Sequence, residues 1–504
     1  MKESAIKPDF ETFSRRAGEG NMIPVYTELV ADYETPVSAY RKICDGSCSF
    51  LFESAEKSDE IGRYSFLGVD PRMVFSGRGP EVTIREAGKE TRTYEAERDP
   101  FHELETLMGD FRPVPDPALP VFYGGAVGYL AYDAVRYFEP TVPEPPQDEL
   151  GLPEMVFLVS DTLIIFDHRY RKMQVVANVC TDDFEDLEQA YASARGKIEN
   201  LVTRLERPLS FQPLVIAEGS GPVPGAPTSN TTKEQYQEMV RAAKEYIYAG
   251  DVFQVVPSQR FSVPYSGEPI DFYRALRHIN PSPYMFCLQF DGDFSLVGSS
   301  PEVHVRAIDG KIEIRPIAGT RPRGADAAAD AEMAQELLGD PKELAEHVML
   351  VDLARNDVGR IAEFESVKVT EFKVVEKYSH VMHIVSNVVG RLRGDCSAYD
   401  VMRATFPAGT VSGSPKVRAM QIINELEKSK RCAYAGAVGY FGFDGNHDSC
   451  IALRTAVIKE GSVHIQAGAG VVADSDPEKE YEETVNKAMG LIRAVERAKQ
   501  LGSG

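Results

Sequence analysis

The stretch from Tyr434 to Gln466, YAGAVGYFGFDGNHDSCIALRTAVIKEGSVHIQ, decides the fold class of this 504-residue chain. Three apolar segments, 434–443, 449–458 and 462–466, are separated by the turn sequences Asp-Gly-Asn and Glu-Gly. Short β-rich segments joined by such turns are typical of an antiparallel meander. The pattern therefore predicts antiparallel sheet in the last part of the chain.

Other parts of the chain predict further strands and several helices. Short β-rich segments at 155–159, 162–167 and 173–179, divided by turn residues, indicate antiparallel sheet in the first half as well. Helical patterns between 329 and 430 alternate irregularly with strands. An irregular alternation favours an α+β fold over a regular βαβ fold.

A segment rich in Gly, Pro, Ser and Thr divides the chain. We predict an N-terminal region, 1–218, a linker, 219–232, and a C-terminal region, 233–504. Thr232 and Gln235 can form a capping box, so a helix is predicted to begin directly after the linker.

The sequence Gly-Ala-Val-Gly-Tyr occurs at 125–129 and again at 436–440. Either two glycine-rich strands are alike by coincidence, or the two halves of the chain hold related sheets that pack face to face. The second interpretation is our hypothesis, and unrelated surroundings for the two segments would exclude it.

The composition limits the partners of the chain. It has 55 Lys and Arg against 77 Asp and Glu, a formal charge of −22, whereas nucleic acids and anionic membranes are recognised by basic surfaces. No apolar segment reaches the roughly 18 residues of a membrane span, and Met1 to Arg16 lack the pattern of a secretory signal. Seven scattered cysteines do not suggest a disulfide framework, so we expect a cytoplasmic protein.

Two predicted helix starts carry paired acids. Asp340-Pro341 begins one helix and Asp476-Pro477 begins another. Each helix then offers two glutamates one turn apart, and these are Glu343 and Glu346 in the first helix and Glu480 and Glu483 in the second. The acids either complement the helix dipoles and caps or meet in a cleft, where like charges require a cation. Carboxylate oxygens suit Mg²⁺, which leaves positions open for an anionic substrate.

Other residues of the C-terminal region could hold an anion. Glycines in Gln466–Gly470 follow a predicted strand and allow backbone N–H groups to approach an oxyanion. Arg454 interrupts an apolar strand, where it needs an anionic partner or a solvated face. Lys487 lies four residues after Glu483, and either pairs with it along the helix or binds a substrate carboxylate.

Four motifs resemble the chorismate-utilising enzymes, and within that family the anthranilate synthase component I group. The motifs are IRPIAGTRPRG at 314–324, EHVMLVDLARND at 346–357, GSPK at 413–416 and QAGAG at 466–470. The resemblance is dense over 233–495 and thinner before residue 210. It implies a chorismate-binding fold, a sandwich of two packed antiparallel β-sheets with helices on the outside. It also implies a Mg²⁺-dependent reaction on chorismate, with catalysis in the C-terminal region and regulation in the N-terminal one.

The resemblance also implies roles for individual residues. Glu346 and Glu483 correspond to direct Mg²⁺ ligands. Glu343 and Glu480 correspond to residues that support these ligands or contact the metal through water. The residues implied to hold the two carboxylates of the substrate are Tyr434, Arg454, Gly468, Ala469, Gly470 and Lys487. The residues implied to line the catalytic pocket are Gln254, Glu302, His383 and Thr410.

The implied chemistry needs a general acid. Chorismate loses its C4 hydroxyl group while a nucleophile adds at C2, and Glu302 matches the acid for that hydroxyl. A carboxyl group can serve only if its surroundings raise its pKa. His383 is the candidate for assisting the loss of pyruvate that follows and gives anthranilate, which makes the enzyme a carbon–oxygen lyase.

Two departures indicate the nucleophile. Water-using relatives carry a lysine base where this chain has Gln254, and aminodeoxychorismate synthases carry a nucleophilic lysine where it has Ala318. Both replacements point to ammonia that attacks C2 directly. The alternatives are an aminodeoxyisochorismate synthase, an aminodeoxychorismate synthase, and a catalytically silent regulatory protein; the intact Glu302, Glu346, Glu483 and Arg454 disfavour the last.

The sequence also indicates the source of the ammonia and a site for feedback inhibition. None of the seven cysteines lies in the context of a glutaminase nucleophile, so a separate glutamine amidotransferase subunit is implied. Three segments also resemble the family's tryptophan feedback site, although such residues equally suit a buried sheet edge. Its implied residues are Glu53, Ser54, Arg63, Pro283, Tyr284, Met285, Val438 and Tyr440.

Overall fold

The computed structural model describes residues 6–54, 62–209, 214, 227–378 and 381–500. Its strands, in chain order, are β1 (Ile6–Lys7), β2 (Met22–Val30), β3 (Ser49–Glu53), β4 (Tyr64–Val69), β5 (Met73–Arg78), β6 (Glu81–Glu86), β7 (Arg92–Glu95), β8 (Gly125–Leu130), β9 (Met155–Ser160), β10 (Thr162–Asp167), β11 (Lys172–Cys180), β12 (Thr228–Ser229), β13 (Gln254–Val255), β14 (Ser258–Pro264), β15 (Tyr284–Phe290), β16 (Phe294–Ser300), β17 (Val303–Ile308), β18 (Lys311–Ile314), β19 (Ile317–Pro322), β20 (Lys368–Lys377), β21 (Val381–Arg391), β22 (Gly413–Ser414), β23 (Ala437–Gly442), β24 (His447–Ile451), β25 (Thr455–Lys459) and β26 (Ser462–Gly468). Its α-helices are α1 (Phe10–Arg16), α2 (Pro36–Ile43), α3 (Pro100–Gly109), α4 (Leu187–Leu205), α5 (Lys233–Tyr248), α6 (Pro269–Ile279), α7 (Ala327–Gly339), α8 (Pro341–Gly359), α9 (Ala398–Thr405), α10 (Lys416–Leu426) and α11 (Pro477–Lys499).

Two twelve-stranded antiparallel sheets organise the described residues. The first has the order β1-β2-β11-β10-β4-β3-β15-β16-β25-β26-β14-β12. The second has the order β19-β21-β18-β17-β24-β23-β8-β9-β5-β6-β7, with β20 paired to β21. A separate two-stranded sheet joins β13 to β22.

The sheets pack face to face with helices outside. One core cluster combines residues of both sheets, such as Phe50 and Leu288 of the first with Val127 and Leu158 of the second. A second cluster covers the outer face of the first sheet with α2, α4, α6 and α11, and a third covers the second sheet with α3 and α9. The predicted α+β sandwich with external helices is therefore confirmed.

The two halves of the chain share both sheets. In the first sheet, β3 pairs with β15, and in the second sheet β8 pairs with β23. The two Gly-Ala-Val-Gly-Tyr segments are thus neighbouring strands of one sheet, with Gly128 opposite Gly439. The hypothesis that each half holds its own sheet is wrong, because the repeated strands pair edge to edge. Of the predicted linker, 219–226 lie outside the described residues.

Locally encoded elements match the sequence expectations closely. Helix α5 begins after a capping box in which Thr232 and Gln235 bond each other's backbone. Asp340 and Asp476 cap α8 and α11 by accepting hydrogen bonds from the N–H groups two and three residues later. These caps fix where each glutamate pair begins. None of the described helices has the length and apolar character needed to cross a membrane, and all seven cysteines are free.

Candidate active site

The chain passes from one sheet to the other immediately before the candidate site. The predicted strand 449–458 is interrupted: β24 lies in the second sheet and β25 in the first, with Arg454 just before the second of these strands. Arg454 has a φ of 47°, and its carbonyl accepts a hydrogen bond from Ser299 N–H. The expectation of Arg454 within a continuous strand is therefore wrong. The chain changes sheet here, and the side chain of Arg454 contacts Asn280 at the end of α6.

Arg454 is a largely enclosed cation. Its Nη1 donates to Asn280 Oδ1 over 3.3 Å, and no carboxylate of the described ranges forms an ion pair with it. Burial lowers the pKa of its guanidinium group, and the charge of Glu302 partly offsets that effect. A buried guanidinium group without a direct anionic partner favours binding of an anion.

Glu302 lies between β16 and β17 and lines a small cavity of about 40 Å³ together with Thr410. Burial raises the pKa of its carboxyl group to about 7, against the lowering effects of Thr410, Lys487 and Arg454. The Thr410 hydroxyl is buried without a hydrogen bond of ordinary geometry, but it is close enough to Glu302 to lower that pKa. At neutral pH a carboxyl group of this kind is half protonated, as a general acid requires.

Helix α8 and helix α11 bring their glutamates toward one another. Burial raises the pKa of Glu346, and the charges of Glu343 and Glu483 raise it further. Burial and the charge of Glu483 likewise raise the pKa of Glu480. Gln254 Nε2 donates to Glu346 Oε1 over 2.9 Å and opposes the shift at Glu346. The acids of the two helices therefore act on one another electrostatically.

Glu343 and Glu483 are held by basic side chains. Arg321 donates to Glu343 over 3.3 Å, and Lys487 pairs with Glu483 over 2.7 Å, with both side chains about half exposed. Lys487 also donates to the Gly468 carbonyl over 3.0 Å. The intrahelical pairing of Lys487 foreseen from its spacing is present, together with a contact to the glycine segment.

The four glutamates suit a divalent cation by their chemistry. In the described residues, no three His, Cys, Asp or Glu side chains are grouped tightly enough to hold a metal ion. Yet Glu346 and Glu480 are destabilised as carboxylates by burial and by neighbouring acids, and a cation relieves that condition. Carboxylate oxygens are of the kind that suits Mg²⁺, and Glu346 and Glu483, with Glu343 and Glu480, are the residues that would hold it.

The glycine segment at the end of β26 has glycines at positions where a larger residue would clash. A Cβ atom at Gly468 would lie 2.8 Å from both Tyr434 Oη and the Pro257 carbonyl oxygen, and one at Gly470 would lie 2.7 Å from Gln254 Nε2. The Ala469 N–H donates to the Pro257 carbonyl, so this backbone group already has a partner. The glycine segment is therefore packed closely against the side chains of Gln254 and Tyr434.

His383 and Ala318 lie on the neighbouring strands β21 and β19. His383 Nδ1 is 2.8 Å from the Gly319 carbonyl, a contact in which this nitrogen carries the proton. Burial lowers the pKa of His383, and the charge of Arg454 lowers it further. The imidazole ring is therefore neutral at pH 7 and lies within electrostatic reach of Arg454.

Some of the implied effector residues lie between the two sheets, whereas Glu53 and Met285 face the helices outside the first sheet. Val438 and Tyr440 belong to the core cluster that joins the sheets, with Tyr284 packed against it, and Met285 is opposite Glu53 in the β15–β3 pair, next to Ser54 and Pro283. Three polar members already have partners. Glu53 accepts from Tyr273 and pairs with Arg277, Arg63 pairs with Asp167, and the Tyr284 hydroxyl donates to Asp448.

Two contacts were missed at the sequence level. Asn280 contacts Arg454, although the sequence associated its segment only with the effector site. Lys416 Nζ pairs with Asp357 Oδ2 over 2.7 Å, which joins the ends of two of the four quoted motifs. Two of the motifs contained Asp357 and Lys416, and Asn280 lies three residues before Pro283 of the implied effector site. Nothing in the spacing of these residues indicated the contacts.

Comparison with known proteins agrees with this geometry. A family model described as chorismate binding enzyme matches residues 47–493, and the chain belongs to this family. It is 48% identical to anthranilate synthase component 1 of Pseudomonas putida over 97% of this chain and 99% of that protein. It is 49% identical to anthranilate synthase component 1 of Synechocystis sp. over the same shares of the two chains.

Two solved structures also match this chain over most of its length. The crystal structure of anthranilate synthase component I from Streptococcus pneumoniae matches with a TM-score of 0.74 and 36% identity, over 92% of this chain and 99% of that one. The menaquinone-specific isochorismate synthase of Escherichia coli matches with a TM-score of 0.69 and 19% identity, over 96% and 98%. The second likeness concerns the fold alone.

Proposed function

We propose that this chain is the chorismate-aminating component of an anthranilate synthase. It binds chorismate together with Mg²⁺, adds ammonia at C2 with loss of the C4 hydroxyl group as water, and then releases pyruvate to leave anthranilate. The observation that carries the proposal is Glu302, a carboxyl group with a pKa raised to about 7 near Arg454. Relatives that match nearly the whole chain and are named anthranilate synthase component 1 support it.

The first step needs one proton, which Glu302 supplies. Ammonia forms a bond to C2, the ring double bonds shift, and the C4–O bond breaks as the Glu302 proton converts the hydroxyl group to water. Arg454 and Lys487 hold the carboxylates of the substrate through charge-assisted hydrogen bonds. Mg²⁺, held by the glutamates of α8 and α11, would stabilise the charge on the ring carboxylate.

The second step needs a base and a leaving group. Loss of the C2 proton and cleavage of the bond to the enolpyruvyl oxygen make the ring aromatic and release the enolate of pyruvate, which takes up one proton on its methylene carbon to become pyruvate. His383 is neutral because burial lowers its pKa, so its ring can accept a proton. We assign it to this step, with Tyr434 and Arg454 holding the enolpyruvyl carboxylate.

Two residues support ammonia as the nucleophile. The Gln254 amide donates to Glu346, and an amide cannot deprotonate water. Ala318 is buried in β19 and carries no amine, so it cannot add covalently to C2. Both features disfavour the water-using and the lysine-using reactions and leave ammonia to attack directly.

The ammonia would come from a second chain. The relatives' name, component 1, implies a second component, and no cysteine of this chain has the sequence context of a glutaminase nucleophile. We propose a glutamine amidotransferase subunit as the partner, in a cytoplasm that keeps the seven cysteines reduced. Ammonium salts should nevertheless support the reaction of this chain alone.

We also propose that tryptophan inhibits the reaction by binding between the sheets. An indole ring would contact Tyr284, Val438 and Tyr440. The ammonium group would have to reach Glu53, which is the last residue of β3 and faces α6. Because Glu53 already bonds Tyr273 and Arg277, the ligand must share or displace these contacts. That requirement links ligand binding to the position of α6.

The test is to identify the product from purified chain, chorismate, Mg²⁺ and ammonium chloride at alkaline pH. Fluorescent anthranilate, formed with an equal amount of pyruvate, is the expected result. Accumulation of a non-aromatic amino acid without pyruvate would instead identify an enzyme that stops at aminodeoxyisochorismate. Isochorismate as the product would refute the role of Gln254.

A further inference from the structure

Glu427 and Arg431 form an ion pair in the protein interior. Their side chains are 6% and 1% exposed, and the Arg431 Nη2 and Nε groups donate to the two carboxylate oxygens over 2.6 and 2.9 Å. Glu427 follows the end of α10. The sequence suggests only an ordinary pair four residues apart, whereas the structure encloses it completely.

The remaining donors of Arg431 anchor two other segments. Nη1 donates to the Val411 carbonyl over 2.8 Å, and Nη2 donates to the Val256 carbonyl over 2.5 Å. Val411 directly follows Thr410, and Val256 is two residues after Gln254. The guanidinium group also lies 5.6 Å from the ring of Tyr434.

The carboxylate of Glu427 anchors a further segment. Its Oε1 accepts from the backbone N–H and the hydroxyl group of Ser258, over 2.7 and 2.9 Å. Ser258 is opposite Gly468 in the β14–β26 pair, and Gln466 donates to the same hydroxyl group over 2.8 Å. One carboxylate therefore contacts the strand on which the glycine segment rests.

We propose that the Glu427–Arg431 pair is a positioning unit for the active site, which fixes the relative places of four segments that bear site residues. Those segments carry Gln254, Thr410, Tyr434 and Gly468. The proposal rests on the proposed function of these residues. The pair itself touches no reacting atom, so it acts only through the groups it holds.

The Glu427–Arg431 pair can contribute to the position of the site residues without contributing net stability to the fold. Burial of an ion pair costs as much as its attraction returns, so two apolar side chains of similar volume often keep a protein equally stable. Apolar side chains cannot, however, bond the carbonyls of Val411 and Val256 or the N–H of Ser258. A displacement of about 1 Å in an active site can lower the rate by about 100-fold.

The test is the double variant Glu427→Leu with Arg431→Met. Its thermal unfolding midpoint should fall, because the carbonyls of Val411 and Val256 and the N–H of Ser258 lose their partners. Activity is therefore compared at a temperature at which both chains are folded, where kcat for anthranilate formation should fall about 100-fold while the KM for ammonia changes little. The matched control is Glu34→Leu with Lys42→Met, since that pair also anchors a carbonyl, that of Leu205, but lies at α2. Control activity should be unchanged.

A second variant covers a failure to fold. Arg431→Lys keeps the charge that pairs with Glu427 but loses the planar fork, so it should remain folded more readily than the double variant and still show a lower kcat. Either variant, if stably folded and fully active, overturns the proposal. If the unaltered chain makes no anthranilate, the proposed function fails. In that case the role of the pair is tested by calorimetry of chorismate binding in the presence of Mg²⁺. An affinity for chorismate weaker by about tenfold in the folded double variant would support positioning, and an equal affinity would overturn it.

Discussion

Replacement of Glu302 by Gln should nearly abolish amination while it stabilises the fold at alkaline pH. The amide keeps the size of the side chain but has no proton to give to the departing hydroxyl group. General acids contribute about 100- to 10,000-fold to a rate, so kcat should fall by that factor. Chorismate binding with Mg²⁺ should persist, because Arg454 and Lys487 are untouched.

The stability effect follows from the pKa of Glu302. Burial raises it from 4.5 to about 7, and at 1.36 kcal/mol per unit the ionised form costs the fold about 3 kcal/mol. The folded state keeps its proton more tightly, so this cost is absent below pH 4.5, grows between pH 4.5 and 7, and is complete above pH 7. The amide of the Glu302→Gln variant cannot ionise, so the variant avoids this cost.

Two assays check the prediction. Urea unfolding without Mg²⁺ at pH 4 and pH 8 should give a difference between variant and unaltered chain that grows by about 3 kcal/mol toward pH 8. The rate of the unaltered chain, expressed per un-ionised ammonia, should fall tenfold per unit above pH 7, whereas that of the variant should not. A variant with nearly full kcat, or a pH-independent stability difference, would refute the reasoning about Glu302.

Three further predictions follow from the same geometry. Glu346→Gln and Glu483→Gln should each raise the Mg²⁺ concentration needed for half-maximal rate, and unchanged Mg²⁺ dependence in both would contradict their assignment. Gln254→Leu removes the 2.9 Å hydrogen bond to Glu346, so the pKa of Glu346 should rise further. The affinity for Mg²⁺ should then drop about 10- to 100-fold, most strongly at acidic pH, and calorimetric titrations at a series of pH values would measure this drop. Tyr284→Ala should lose tryptophan inhibition, measured as the ratio of rates with and without tryptophan, and an unaltered ratio would exclude the effector pocket.

What could be predicted from the sequence was mostly local. Asp340 and Asp476, each followed by Pro, fix helix starts through contacts within three residues, so the glutamate pairs were placed correctly on α8 and α11. The antiparallel sandwich was also foreseen, from short strands and from family motifs. Turn chemistry and caps depend on few residues, which is why they can be read directly.

The remaining features depend on contacts between distant segments. Residues 449–458 have one continuous β pattern, and only pairing with different sheets divides them before Arg454. Likewise, Glu427 and Arg431 have the spacing of a surface pair, yet partners about 170 residues away enclose them. The local sequence pattern is the same whether a strand is continuous or divided and whether an ion pair is exposed or buried. Burial and sheet membership could therefore not be derived from that pattern.

Whether α8 and α11 share a metal ion can be measured with Mn²⁺ in place of Mg²⁺, with the bound ion counted by electron paramagnetic resonance. One Mn²⁺ should bind per chain, and it should bind more tightly when chorismate is present. Both Glu346→Gln and Glu483→Gln should lose this ion, because one glutamate comes from α8 and the other from α11. Full chorismate-dependent Mn²⁺ binding in both variants would contradict a metal site shared by the two helices.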